Sequence, residues 1–288
     1  MAVDVVWFKK DLRTYDHSPL IEAANSDNTI LCLFSLEPKR FELDDVDPIH
    51  VEWELKNAIE LSNSLEKIGG SLHFEINDIV TILDEINLKF GISRILSHEE
   101  TGNSWSYQRD KLVRKWCEEQ NVDWIEFPTN GVIRLLVDRD LWKKKRDLRM
   151  RGDLCQPPLI SDSVEFLGDI PTMKHLGLNP RKLTNYPVPG QQAAFNRLET
   201  FMNEESFQFQ WAISSPTLAV KHGSGLSPYL TVGAISMRRV VQSTNARMEY
   251  IRENKHEFEN PTVWLKSLGS FRRRLAWRCH FMQKLEDQ

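Results

Sequence analysis

Short apolar runs separated by amphipathic stretches occupy the first 127 residues, and the pattern stops there. Val3–Phe8, Thr29–Phe34, Leu72–Glu75, Arg94–Ser97 and Trp124–Phe127 read as five strands. Between them, Ile49–Ile68 carries Val51, Leu55, Ile59 and Leu65 at near-helical spacing and stops at Gly69-Gly70. Asp78–Phe90 opens on a capping aspartate and closes at Gly91, and Trp105–Gln120 carries Leu112 and Trp116 above a polar face. Helices end and begin on such residues because an Asp side chain satisfies first-turn amides and glycine accepts a left-handed backbone. Apolar strands alternating with helices predict an α/β fold, a doubly wound five-stranded parallel sheet. Ligands of such sheets sit beyond the carboxyl ends of the strands. That directs attention to Lys9–Tyr15, Ser35–Arg40 and His98–Ser104.

From Pro128 to Pro189 the periodicity is lost. Pro157-Pro158, Pro171, Pro180, Pro187 and Pro189 interrupt it, and only Leu141–Arg151, a basic stretch, reads as helical. After Gly190 the pattern is helical throughout, over Ala193–Asn203, Ser236–Asn254 and Asn260–Leu285. The expected organisation is an α/β domain at 1–127, a connector at 128–190, and at 191–288 the first part of an all-helical domain. Along the last helix Trp264, Leu268, Phe271, Leu275, Cys279, Met282 and Leu285 make an apolar stripe. Little sequence remains to cover it. The expectation is an exposed patch that promotes self-association, in a chain that is a piece of a longer protein.

Composition removes several alternatives. The net charge is -4, so any nucleic-acid surface must be local. No apolar run approaches the ~20 residues of a membrane helix, and Met1–Trp7 has no basic-then-apolar leader; no membrane partner is expected. Cys32, Cys117, Cys155 and Cys279 form no Cys-x-x-Cys. They suggest reduced thiols in a cytoplasm rather than zinc or disulfides. His98-Glu99-Glu100 lacks evident ligand partners, so no metal is expected. Nine tryptophans suit either packing or stacking on a ring system.

Three segments carry a family resemblance. Val6-Trp7-Phe8-Lys9-Lys10-Asp11-Leu12-Arg13, with Asp16, Pro19, Leu20 and Ala23-Ala24, is similar to the opening of the DNA photolyase/cryptochrome family. Gly225-Leu226-Ser227-Pro228-Tyr229-Leu230, followed by Val232-Gly233 and Ile235-Ser236, resembles a second family motif. Leu275-Ala276-Trp277-Arg278 resembles the end of a third. The likeness spans the whole chain but about the first three-fifths of a family member. His98–Asn103 resembles a bacterial subgroup.

The resemblance implies a light-driven flavoprotein that repairs pyrimidine dimers in DNA, or a cryptochrome-type photoreceptor without repair. It implies FAD, with an antenna chromophore of folate or deazaflavin type as a further cofactor; Trp7–Arg13 either lines such a site at the strand's carboxyl end or, as the preferred reading, is structural, Asp11 and Arg13 tying the first turn to the helical domain. It places FAD contacts at Trp211, Ser224, Leu226, Ser227, Phe271 and Arg278, and contacts to damaged DNA at Arg274, Trp277 and Arg278. It assigns no catalytic side chain. Physically, serine hydroxyls and close amides at a helix start suit phosphate; Ser227 and Pro228 also suit a simple helix start. Four positions depart from the motifs: Gly223 for Thr, Gly225 for Arg, Phe271 for Trp and Arg274 for Glu. Arg272-Arg273-Arg274 and Lys284 add a basic run that phosphate contact or solvation would explain, and Lys143-Lys144-Lys145-Arg146 reads as solvated. A chain of this extent is expected to build only part of a flavin pocket, and so to be inactive by itself.

Overall fold

The computed structural model describes residues 2–180 and 186–287, leaving 181–185 of the connector outside the described residues. The chain divides into two compact units. The first comprises Met1–Pro128, Cys155–Gln191 and Val232–Ala234; the second comprises Thr129–Leu154, Gln192–Thr231 and Ile235–Gln288. The connector is thus shared, its first half counted with the helices and its second with the sheet.

The first unit is a five-stranded, wholly parallel sheet in the order β3-β2-β1-β4-β5. Its strands are β1 Val3–Phe8, β2 Thr29–Ser35, β3 Leu72–Glu75, β4 Ile92–His98 and β5 Asp123–Phe127. The intervening helices are α1 Ser18–Ala24, α2 Pro38–Phe41, α3 Pro48–Glu66, α4 Ile79–Phe90 and α5 Ser104–Gln120. The order makes the fold doubly wound, as expected from the alternation. Every residue of β1 is buried, because a central parallel strand has helices on both faces. Val3, Val5 and Trp7 join Leu31, Leu33 and Ile95 against Ile82, Leu83 and Ile86 of α4 and Val113 and Trp116 of α5. Asp78 caps α4 by accepting from the Thr81 amide, and Gly91 ends it at φ 72°. Connector residues 162–164 bridge in parallel to Ile30.

The second unit contains no strand among its described residues. Its helices are α6 Trp142–Arg151, α7 Gln191–Thr200, α8 Phe209–Ala212, α9 Pro216–His222, α10 Ser227–Val232, α11 Met237–Glu253 and α12 Pro261–Glu286. A π-helical turn, Phe201–Glu205, follows α7. The expected exposed stripe on α12 is corrected here. Leu268, Phe271, Leu275 and Cys279 are buried. Phe271 meets Phe201 and Phe209 edge-on at 4.7 and 5.3 Å between centroids, and Trp264 packs on Phe207 and Phe258. Cys279 faces Gly131. The covering rings come from the chain itself, so the stripe gives no basis for self-association. Of the stripe, Leu285 stays exposed at its end, and Trp277 and Phe281 are exposed on the neighbouring face.

Candidate functional site

In the helical unit the motif residues Ser224, Leu226 and Ser227 lie on the loop into α10, and that loop is shaped from beneath by Arg197 of α7. The Arg197 guanidinium donates from Nε to the Ser224 carbonyl at 2.7 Å and from Nη2 to the Gly223 carbonyl at 2.9 Å. It is held in place by Glu205, at 3.0 Å from Nη1 and closer still from Nη2. A trans peptide points its N–H opposite to its C=O. With both carbonyls turned to Arg197, the amides of Ser224 and Gly225 face the other way, and neither has an acceptor among the described residues. Gly225 takes φ 62°, and a Cβ there would stand 2.9 Å from Arg197 Nε. The Ser224 hydroxyl accepts from the Leu226 amide at 3.4 Å. Ser227 begins α10 and is exposed, whereas Leu226 is buried. Outward amides beside two hydroxyls, with a cation under the turn, form a donor set suited to phosphate oxygens.

The remaining expected contacts are carried by α8 and α12. Gln210 of α8 donates from its amide to Ser267 of α12 at 3.3 Å, which sets the next residue, Trp211, on the surface. Arg278 donates from Nη2 to the Leu230 carbonyl of α10 at 3.1 Å; burial lowers its pKa from the ordinary arginine value. One turn earlier, Arg274 is exposed, with its guanidinium 4.7 Å from the centroid of Trp277. The Trp277 indole is 51% exposed. Phe271 is committed to the aromatic core and presents almost no surface. Thus α12 brings Arg274, Trp277 and Arg278 together, and Arg278 ties them to α10.

The sheet unit holds a second constellation at the carboxyl ends of β1 and β4. The Asp11 carboxylate, fully buried, accepts at Oδ1 from the Lys9 amide at 2.7 Å. At Oδ2 it meets His17 Nε2 at 2.9 Å and His98 Nδ1 at 2.7 Å. His17 Nδ1 accepts from the Leu20 amide as the cap of α1, so in the neutral ring Nε2 carries the proton toward Asp11. Burial opposes the charge on Asp11, yet the bonds from His17 and His98 hold its carboxyl well below the usual range. Burial pushes both imidazoles down, His98 to about 3. Asp11, His17 and His98 are the three groups among the described residues close enough to share a metal ion. Both imidazoles are already engaged with Asp11 Oδ2.

The adjoining backbone holds a distant motif. The Leu12 amide donates to the Val232 carbonyl at 3.0 Å, and Arg13 Nη1 to the Gly233 carbonyl at 3.1 Å. A Cβ on Gly233 would fall 2.1 Å from the Lys10 carbonyl oxygen. Beyond β1, β2 and β4 the sheet edge is filled with charge. Arg109 of α5 reaches Glu100 and Asp110, both at 2.7 Å, and Glu37 at 3.6 Å. Glu54 takes both Lys10 and Arg40. Burial raises the Glu37 carboxyl to about 7 despite Arg109. Sequence reasoning singled out this edge but not the pairings, and it missed Arg197, Glu205 and His17. Arg197 lies 26 and 27 residues from the carbonyls it holds, Glu205 acts through Arg197, and His17 sits at a helix start that resembles any other.

The sequence matches the DNA photolyase family over residues 4–147. It is 23% identical over 282 residues to the deoxyribodipyrimidine photo-lyase of Vibrio cholerae, covering 92% of this chain and 59% of that protein. It is 23% identical over 309 residues to the chloroplastic/mitochondrial cryptochrome DASH of Arabidopsis thaliana, covering 97% of this chain and 52% of that protein. In structure it is similar to a bacterial class III photolyase from Agrobacterium tumefaciens, with a TM-score of 0.78 at 20% identity over 100% of this chain and 59% of the other. The chain therefore spans between about half and three-fifths of the length of these three proteins.

Proposed function

This chain belongs to the DNA photolyase/cryptochrome family, and on that premise we propose that it forms part of a blue-light-driven, FAD-dependent enzyme that repairs pyrimidine dimers in DNA. The observation that carries the proposal is the donor set of the Gly223–Ser227 loop. Its outward amides and serine hydroxyls fit a diphosphate, and they fit it because Arg197 and Glu205 fix the turn beneath. Ser224 and Ser227 would hold the phosphates. Arg278 would border the ring side through its hold on α10, and Trp211 would border it from α8. When bound, FAD supplies the light-driven electron that opens the dimer. The protein's own work is to hold the phosphates, to exclude water and to receive the lesion. For the last step, the half-exposed Trp277 indole offers a stacking face, and Arg274 beside it a phosphate partner. Stacking on an exposed aromatic is worth ~1–3 kcal/mol per base, and damaged pairs are the easiest to unstack.

An antenna pigment, if the protein uses one, belongs at the sheet's carboxyl edge, where Trp7 lies under the cations of Lys9 and Arg109 at 4.8 and 4.9 Å. The four cysteines are unpaired, which suits the reducing cytoplasm proposed for it. No helix among the described residues is long and apolar enough to cross a membrane.

Arg274 favours a second reading. A guanidinium stands where the family motif has a carboxylate beside flavin and lesion, and a photoreceptor without repair activity has no need of that carboxylate. The two readings part in one experiment. Replacing Ser227 with a bulky residue in the full-length protein should remove bound flavin under either. Only the repair reading predicts that the unaltered protein clears dimers from an irradiated oligonucleotide in blue light and not in the dark.

A further inference from the structure

Ahead of α6, the segment from Ile133 to Leu141 carries aliphatic side chains outward. Leu135 is 97% exposed and Val137 fully so, and Leu148 of α6 is 71% exposed. Leu135 also takes φ 54°. That left-handed conformation strains a bulky residue and persists only where the surroundings impose it.

The surroundings do impose it. Gln283 of α12, itself buried, accepts the Ile133 amide at 2.7 Å and donates to the Ile133 carbonyl at 3.0 Å. Trp142 Nε1 donates to the Gly131 carbonyl at 2.9 Å. Arg149 Nη1 donates to the Asn130 carbonyl at 3.0 Å and also to that of Val132. The loop is pinned at its base, and Leu135 and Val137 project from it.

The cations lie beside these side chains. On α6, Trp142, Arg146 and Met150 turn inward. The opposite face presents Leu141, Lys144, Lys145, Leu148 and Arg151, at spacings that share one side of a helix. Arg139, Lys143, Lys144, Lys145 and Arg151 are exposed and make no ion pair among the described residues. The acids facing this surface are Asp138 and Asp140, exposed in the same loop, and Asp147, which is held by Arg146 at 2.9 Å. Asp138 is engaged as the cap of the turn at Asp140. Cations therefore dominate locally in a chain whose net charge is -4.

Lysines and protruding aliphatics together distinguish between partners. A nucleic-acid backbone would use the lysines and gain nothing from four outward aliphatics, and this face offers no aromatic ring to a base. An anionic lipid surface uses both, with charge at the headgroups and aliphatic tips in the acyl boundary. We propose that the 135–151 surface docks the protein peripherally on a membrane rich in anionic lipid. This reading is independent of the flavin and DNA site.

The test is flotation of the purified chain with phosphatidylserine–phosphatidylcholine vesicles and with phosphatidylcholine vesicles. Binding is expected to the first only. Each Lys→Glu change at 144 or 145 should weaken it by about fivefold or more. Leu135→Gly suits the left-handed backbone and so should fold at least as well, while Val137→Ser is at an exposed site. Together they should weaken binding roughly tenfold with the melting temperature kept or raised. Absence of binding to the anionic vesicles overturns the proposal. So does binding that ignores the Leu135 and Val137 changes, or retention of a DNA oligonucleotide, lost with the lysine changes, in place of vesicles.

Discussion

Arg197 and Gly225 touch where a side chain would otherwise stand. The guanidinium Nε lies 2.9 Å from the place a Gly225 Cβ would take. The family motif has an arginine at position 225, and in this chain a cation reaches the same turn from α7. Gly225→Ala should therefore cost about 1–2 kcal/mol, from the left-handed backbone together with the close contact. In urea melts, Gly225→Ala combined with Arg197→Ala should not be additive, because Arg197→Ala relieves the contact. Additivity within about 0.3 kcal/mol would show that the two residues do not meet.

Gly233 should be less tolerant still. Its Cβ would meet the backbone at Lys10 and Asp11, and backbone cannot swing aside as the tip of an arginine can. Gly233→Ala is expected to destabilise by about 3 kcal/mol or more, since strain at a positive φ adds to overpacking. A melt indistinguishable from that of Gly225→Ala would contradict the described seat of Val232–Ala234.

The buried histidines predict how stability depends on pH. His98 is depressed to about 3 in the fold, against about 6.5 in an unfolded chain. Between those values the unfolded chain binds the proton and the folded one refuses it. Stability is then fully present above about pH 6.5 and falls as the pH drops toward 3. The slope is about 1.4 kcal/mol per pH unit for one such group. His17 is also lowered and steepens it. His98→Asn keeps an N–H donor near Asp11 but cannot take up a proton, so the slope measured by urea unfolding from pH 7 to 4 should flatten. An unchanged slope would place the titration elsewhere.

Trp277 is half exposed and fills no core position. Trp277→Ala should leave the melting temperature within a degree or two while weakening binding to dimer-containing DNA by ~1–3 kcal/mol. Arg274→Ala should flatten the salt dependence of the same binding if its guanidinium meets a phosphate. Loss of both stability and binding would make Trp277 a packing residue.

The sheet was largely legible because burial on both faces leaves an unbroken apolar run: Val3–Phe8 and Leu72–Glu75 were expected and found with those bounds. β4 begins two residues before its apolar signal, because half-exposed Arg94 and exposed Ser93 break the run. Helix α1 went unseen, since seven residues are too few to show a period and its cap is His17. The stripe on α12 was legible as apolar. What covers it was not, because Phe201, Phe207, Phe209 and Phe258 are scattered through short turns without periodicity. The Gly223–Ser227 loop was visible as a motif, whereas the charge beneath it belongs to α7 and only folding brings it there.

The most direct test of the account is made on the full-length protein, by its visible spectrum and its effect on a dimer-containing oligonucleotide in blue light and in darkness. A yellow protein with one flavin per chain that clears dimers only when illuminated is expected. A colourless protein would contradict the flavin site at Ser224–Ser227. A flavin-loaded protein that leaves every dimer intact in the light would contradict repair and leave the photoreceptor reading in its place.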